Sequence, residues 1–168
     1  MKIELLSDHP HLIPEIVDLK FQEFSYLVPQ KTKADFLKGV QAHLNAPNLP
    51  IAYVIVTEEK EFVGTFSLRE SDMESHSHLS PWIGSILVHP SRRNQGVGSI
   101  LVKNAELTAL EMGFTKLYLF TPNKAAWYAK LGWETVEKAL FNEIPVTVMT
   151  KNLRSVNGRD AFPSSSAV

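Results

Sequence analysis

The 168-residue sequence contains no cysteine. Disulfides and a covalent cysteine nucleophile are therefore both excluded. An excess of charge of either sign is also missing. Seventeen Lys and Arg residues stand against 18 Asp and Glu, for a formal net charge of −1. A general nucleic-acid binder and a polybasic membrane surface are not expected from such a balance. No apolar run approaches the length of a membrane span. Residues 1–8 are too short and too acidic a stretch to read as a signal peptide, so the expected compartment is the cytoplasm. There is no internal repeat. What the chain does contain is enough apolar sequence, 44%, for one real core, and a length that suits a single domain.

One stretch organises the rest. Ile86, Leu87 and Val88 form a short apolar run of the kind a buried strand has, and Pro90 ends it. From Val97 the apolar period changes to that of a helix, with Val97, Leu101, Ala105, Thr108 and Met112 on one stripe. Gly113 stands where a helix C-terminus favours a left-handed residue. Between strand and helix lies Arg93-Asn94-Gln95-Gly96-Val97-Gly98, followed by Ser99. Gly96 and Gly98 let the backbone approach a ligand closely. The unpaired N–H groups of the helix start make an anion site, and Arg92 and Arg93 add full charges suited to phosphate oxygens. The stretch is built to hold a phosphate or pyrophosphate. It lacks the Gly-Lys-Ser/Thr of a P-loop, and Leu101 stands where a dinucleotide fingerprint has its third glycine.

Around this stretch the chain reads as β-α-α-β-β-β-α-β-α-β-β. A short strand holds Ile3 and Leu5, and a helix begins near Pro10 and Pro14. A second helix spans 32–44 with Thr32 as N-cap, and strands 51–57 and 61–68 form a hairpin. Residues 69–80 read as a loop. Strand 82–88, the glycine turn and the long helix follow, then strand 116–120, a short helix 123–131 capped by Asn123, and strands 133–139 and 145–153. The expected fold class is α/β, an α+β sandwich, with a mixed, mostly antiparallel sheet of about six to seven strands flanked by about four helices. Residues 154–168 are expected to form a disordered tail.

The string Val88-x-Pro90-x-x-Arg93-x-x-Gly96-Val97-Gly98-x-x-Leu101 resembles the acetyl-coenzyme A site of the GNAT acetyltransferase superfamily. The order of elements matches that fold too, and the resemblance covers roughly 1–153. It implies a pyrophosphate held by Arg93, Asn94, Gln95, Gly96, Val97, Gly98 and Ser99. It also implies a pantetheine arm lying along Ile86, Leu87 and Val88, with a backbone N–H at Leu87 or Val88 polarising the thioester carbonyl. A second resemblance lies in the stretch containing Asn123, Tyr128 and Gly132-Trp133. In the family a tyrosine placed like Tyr128 protonates the departing thiolate. A phenol with pKa near 10 carries that proton at neutral pH. Asn123 is five residues before Tyr128 rather than the more usual seven, so a contact to the pantetheine and a plain helix cap are both open for it.

The implied activity is transfer of the acetyl group of acetyl-coenzyme A directly to a primary amine of a small molecule or peptide, by a monomer or homodimer. No metal is expected; His76-x-His78 lacks a third ligand. No carboxylate lies on 81–87, where many relatives carry a glutamate. The candidates for a general base are Glu23, Glu70 and Asp72, which would also draw a cationic acceptor. Tyr26 and Trp82, beside loop-like sequence, are candidates for the acceptor pocket. The alternative, from a different class, is a non-catalytic acyl-coenzyme A sensor acting through a partner protein.

Overall fold

The computed structural model describes residues 1–154. Apart from Arg154, the expected C-terminal tail lies outside them. The chain forms a seven-stranded sheet in the order β1-β2-β3-β4-β5-β7-β6. The strands are β1 (Lys2–Leu5), β2 (Ile51–Val56), β3 (Phe62–Arg69), β4 (Trp82–Val88), β5 (Lys116–Thr121), β6 (Glu134–Phe141) and β7 (Ile144–Asn152). Every neighbouring pair is antiparallel except β4 and β5. The fold class is the one the sequence predicts.

Alternation along β2 explains the layers. Ala52, Val54 and Val56 face one side, against Ile13, Ile16 and Val17 of α1 (Ile13–Phe24) and Val40 of α2 (Lys33–Gln41). Ile51 and Ile55 face the other, against Val97, Leu101, Ala105 and Ala109 of α3 (Val97–Glu111). Fully burying one such aliphatic side chain contributes about 1.5–3 kcal/mol. Tyr128 of α4 (Ala125–Lys130) and Trp133 complete that second cluster. No helix among the described residues is long and apolar enough to cross a membrane.

The local signals mostly hold. Thr32 caps α2 in a reciprocal capping box with Asp35. Gly113 and Gly132 both adopt left-handed backbone, at φ 91° and 90°. Three expectations need correction. In the α3 stripe the buried position after Ala105 is Ala109, with Thr108 half-buried beside it, while Met112 packs against the core as expected. Asn123 is not the cap of α4: Lys124 holds that position, and its N–H donates to Thr121 Oγ1 at 3.0 Å. Residues 69–80 are more than a polar loop. Met73 is buried with Trp82, Val146 and Val148 in a third apolar cluster.

Candidate active site

A cleft of about 1560 Å³ runs from the glycine turn to the space between α1, α2 and the middle of the sheet. Its existence follows from how β4 and β5 part. They are parallel neighbours at one registered position, Trp82 opposite Tyr118, with the Tyr118 N–H donating to the Pro81 carbonyl at 3.0 Å. Past that point β4 stays paired with β3 only, so its other edge opens into the cleft along Ile86, Leu87 and Val88. A bulge lies at the parting. Gly84 pairs with Ser67 and Leu87 with Thr65, leaving Ser85 and Ile86 together opposite Phe66. Ser85 has φ 53°, a left-handed conformation that costs a non-glycine residue about 1–2 kcal/mol. Its hydroxyl accepts from Arg69 Nη2 at 2.5 Å, which helps hold it there.

The glycine turn forms one end. His89 accepts the Ser91 N–H at 3.2 Å and shapes the turn after β4. Asn94 and Gly96 are left-handed, at φ 58° and 78°. Gly96 is the N-cap of α3. No side chain caps that helix, and no acidic residue occupies its first turn. The first-turn N–H groups are therefore without side-chain competitors and carry the positive end of the helix dipole. A Cβ on Gly98 would lie 3.4 Å from the indole of Trp127 on α4 and 4.0 Å from Val88. Asn94, Gly96, Val97, Gly98 and Ser99 line the cleft. Gln95 does not: its amide turns back to the Ser91 carbonyl at 3.2 Å. Arg93 lines it but is engaged, donating to the Val88 carbonyl at 3.3 Å and lying 3.3 Å from Glu23.

Across the opening, Tyr128 is 8% exposed and packs its ring against Trp127 and Trp133, at centroid distances of 4.8 and 6.1 Å. Burial alone pushes its hydroxyl up to about 12. Asn123 is exposed on the cleft wall.

The acceptor end differs from expectation. Trp82 is wholly buried under the third apolar cluster, with its indole N–H donating to the Leu79 carbonyl at 2.7 Å, so it does not line the cleft. Tyr26 does, at 54% exposure. Glu70 is on the exposed surface away from the cleft. Asp72 lines the cleft but is bound to Arg69 Nη1 at 2.6 Å. Glu23 lines the cleft too, 3.3 Å from Arg93, and Asp35 and Glu74 line it as well. Basic groups share the space. Lys20, on α1, is 6% exposed, and His43, just past α2, reaches the same region. His76 is not a metal ligand in this arrangement; its Nε2 lies 2.6 Å from Glu137. No group of three or more His, Cys, Asp or Glu side chains among the described residues could hold a metal ion.

A model of the acetyltransferase (GNAT) family matches residues 13–133, most of the chain. The chain belongs to the GNAT family. No curated protein matches it in sequence. Among solved structures, an aminoglycoside 6'-N-acetyltransferase complexed with coenzyme A superposes with a TM-score of 0.72 at 20% identity, covering 93% of this chain and 99% of that one. An aminoglycoside 6'-N-acetyltransferase from Enterococcus faecium gives 0.69 at 20%, with the same 93% and 99% coverage. A spermidine N-acetyltransferase from Vibrio cholerae, in complex with coenzyme A and spermine, gives 0.68 at 16%, over 90% of this chain and 95% of that one. Identities this low speak for the fold.

Sequence reasoning missed Lys20, His43, Arg69 and Trp127 in this GNAT chain. Lys20 had a visible signal. Ile13, Ile16, Val17, Lys20 and Phe24 fall at helical spacing, so the lysine interrupts an apolar stripe and points inward with it. Arg69 carried a weaker one, a basic residue three before Asp72 at a strand end. Nothing local marks His43 or Trp127.

Proposed function

We propose that the protein is an N-acetyltransferase that moves the acetyl group of acetyl-coenzyme A directly to a primary amine of a small molecule or peptide. In this reading the catalytic domain spans 1–153 and works in the cytoplasm as a monomer or homodimer. The observation that carries it is the opened edge of β4 leading to the uncapped, acid-free N-terminus of α3. Those two features fit the two parts of the co-substrate. The N–H groups at Val97, Gly98 and Ser99 suit a pyrophosphate, with Arg93 and Asn94 beside them, while the free edge at Ile86, Leu87 and Val88 suits an extended amide arm. Gln95 supports the turn through Ser91 rather than facing the ligand. Asn123 stands on the wall beside the arm.

The co-substrate supplies the activated acetyl group. The amine, freed of its ammonium proton by water, forms a bond to the carbonyl carbon; the carbon–sulfur bond breaks, the sulfur leaves with the bonding pair as the coenzyme A thiolate, and the remaining extra proton on nitrogen passes to water in the cleft. A backbone N–H of Leu87 or Val88 holds the carbonyl oxygen as charge gathers on it. Tyr128 donates its hydroxyl toward the sulfur. Held at about 12, it stays protonated at any working pH. Complete transfer to a thiolate of pKa about 8.5 would be uphill, so its principal work is a hydrogen bond to the sulfur as the bond breaks. Of the three carboxylates, Glu23 and Asp72 line the cleft, each beside an arginine, and either could pass a proton on through water; Glu70 lies outside the cleft.

Thermal unfolding with coenzyme A and with desulfo-coenzyme A tests the site. A ligand at about 100 times its dissociation constant stabilises by about 2.7 kcal/mol, a rise of about 5–10 °C for a domain of this size. A panel of amines, scored by free thiol and by product mass, then tests the chemistry. No shift at millimolar ligand removes coenzyme A from the cleft. A shift without turnover on any amine returns the protein to the sensor alternative.

A further inference from the structure

At the acceptor end of the cleft, two side chains present polar groups that the protein itself leaves without a partner. Lys20 is 6% exposed and lines the cleft. Of the acids that line the cleft, Asp72 is engaged with Arg69 at 2.6 Å, Glu23 with Arg93 at 3.3 Å and Asp35 with the N-terminal cap of α2, while Glu74 is exposed at the start of the short turn after Met73. Each nitrogen of Arg69 is itself engaged. Its Nε donates to Ser67 Oγ at 3.0 Å, Nη1 to Asp72 and Nη2 to Ser85. The Arg69–Asp72 pair is pressed onto the sheet over Gly84, where a Cβ would come within 3.0–3.1 Å of both side chains. It therefore cannot swing freely to neutralise the lysine. Burial and the Arg69 guanidinium both work against the charge on Lys20, and Asp72 offsets them only in part.

His43 is the second group. Its Nδ1 lies against the Gly39 carbonyl, which can only accept, so Nδ1 carries the hydrogen and Nε2 carries a lone pair. Nε2 is buried and has no hydrogen-bond partner. Burial and the nearby Arg69 hold this imidazole down to about 4, so it is neutral at pH 7. The demands of the two groups are complementary. Lys20 lacks an anion, and His43 Nε2 lacks an N–H or O–H donor. Unsatisfied buried polar groups carry a free-energy penalty that a ligand can remove.

Resting on the acetyltransferase reading, we propose that the acceptor is an amine bearing a carboxylate on the same small molecule, its carboxylate held by Lys20 and its amine N–H accepted by His43 Nε2.

The test is binding, measured by calorimetry on protein saturated with desulfo-coenzyme A. The probes are the proteinogenic α-amino acids and their α-carboxamides, pairs that keep the side chain and the amino group and replace the anion with a neutral amide, compared at a pH where both amines are protonated. At least one amino acid binds more tightly than its carboxamide by about 10- to 100-fold, the span of a charge-assisted contact. Lys20→Met removes that advantage by weakening the acid alone, with coenzyme A affinity unchanged. His43→Phe weakens acid and carboxamide alike, because both carry the amine. The proposal is overturned if no amino acid binds at millimolar concentration, if carboxamides bind as well as acids throughout, or if the advantage survives in Lys20→Met. Failure of coenzyme A to bind would instead count against the acetyltransferase reading. The same amino-acid pairs, titrated into the protein alone, would still decide the carboxylate site.

Discussion

Replacing Lys20 with methionine is expected to stabilise the protein, and to do so in a pH-dependent way. The lysine is buried without a counter-ion, and desolvation, helped by Arg69, lowers its pKa from 10.5 to about 7. Between those values the unfolded chain binds more protons than the folded one, so wild-type stability rises with pH across that window. At 1.36 kcal/mol per pKa unit, the lysine costs up to about 4–5 kcal/mol at and below pH 7, about 2 at pH 9 and nearly nothing at pH 11. Water entry and local relaxation reduce that ceiling. A measured gain for Lys20→Met of about 2 kcal/mol at pH 6, shrinking to below about 1 kcal/mol at pH 9, is the working expectation. Methionine keeps the length of the side chain and adds apolar burial against α1 and the sheet. The assay is urea denaturation of both proteins from pH 6 to 9. His43 is present in both, so its own titration largely cancels. If Lys20→Met is less stable than wild type at pH 6, or if the difference does not fall with rising pH, the lysine is paired in solution and the argument for an open anion site fails.

Three further outcomes follow from the geometry. Gly98→Val places a branched side chain against Trp127, 3.4 Å from the Cβ position, and is expected to weaken coenzyme A binding by at least about tenfold while the fold persists; unchanged affinity by calorimetry would put the phosphates elsewhere. Gly84→Ala drives a methyl group to 3.0–3.1 Å from Arg69 and Asp72 and should cost about 1–3 kcal/mol in denaturant titration; an unaltered midpoint would mean that the pair moves freely. Tyr128→Phe keeps the ring and should keep acetyl-coenzyme A affinity, with kcat falling about 10- to 100-fold, the span of one hydrogen bond to a developing thiolate. Because burial holds the hydroxyl at about 12, no descending limb from Tyr128 belongs below about pH 11 in wild type, so the limb expected near pH 10 from an ordinary phenol moves out of range.

Features written in short stretches of chain were legible. The Thr32–Asp35 capping box, the glycines that end α3 and α4, and the strand–turn–helix at 86–101 each depend on neighbours in sequence, and each stands where the pattern puts it. Long-range packing was not legible. Trp82 sits beside a polar loop in sequence, which favoured a surface position. In space that loop carries Met73 back over it, and Leu79 accepts its indole N–H. Glu23 and Arg93 are far apart in the chain, so nothing local announces that each occupies the other. Lys20 is the instructive case. Its spacing on α1 was plain, but counting apolar residues alone treats a buried lysine as a gap instead of as a charge the fold has placed inward.

The bulge in β4 connects the two halves of the site. One extra residue shifts the side-chain alternation, so Ile83 packs with α3 on one face while Leu87 packs with α1 and α2 on the other. The same irregularity lies between the Trp82–Tyr118 pair and the free edge beyond it, where a ligand can lie along Ile86–Val88. It also turns the Ser85 hydroxyl to Arg69, whose Nη1 donates to Asp72. Removing the bulge would therefore have two consequences at once. It would restore β4 to a regular strand that β5 could follow, closing the edge. It would also take from Arg69 one of the partners that hold it over Gly84, freeing the guanidinium or its carboxylate to reach Lys20. A regular strand here would be locally less strained. It would lack both the opening and the unpaired ammonium, so the strain at Ser85 is retained where the proposed chemistry needs it.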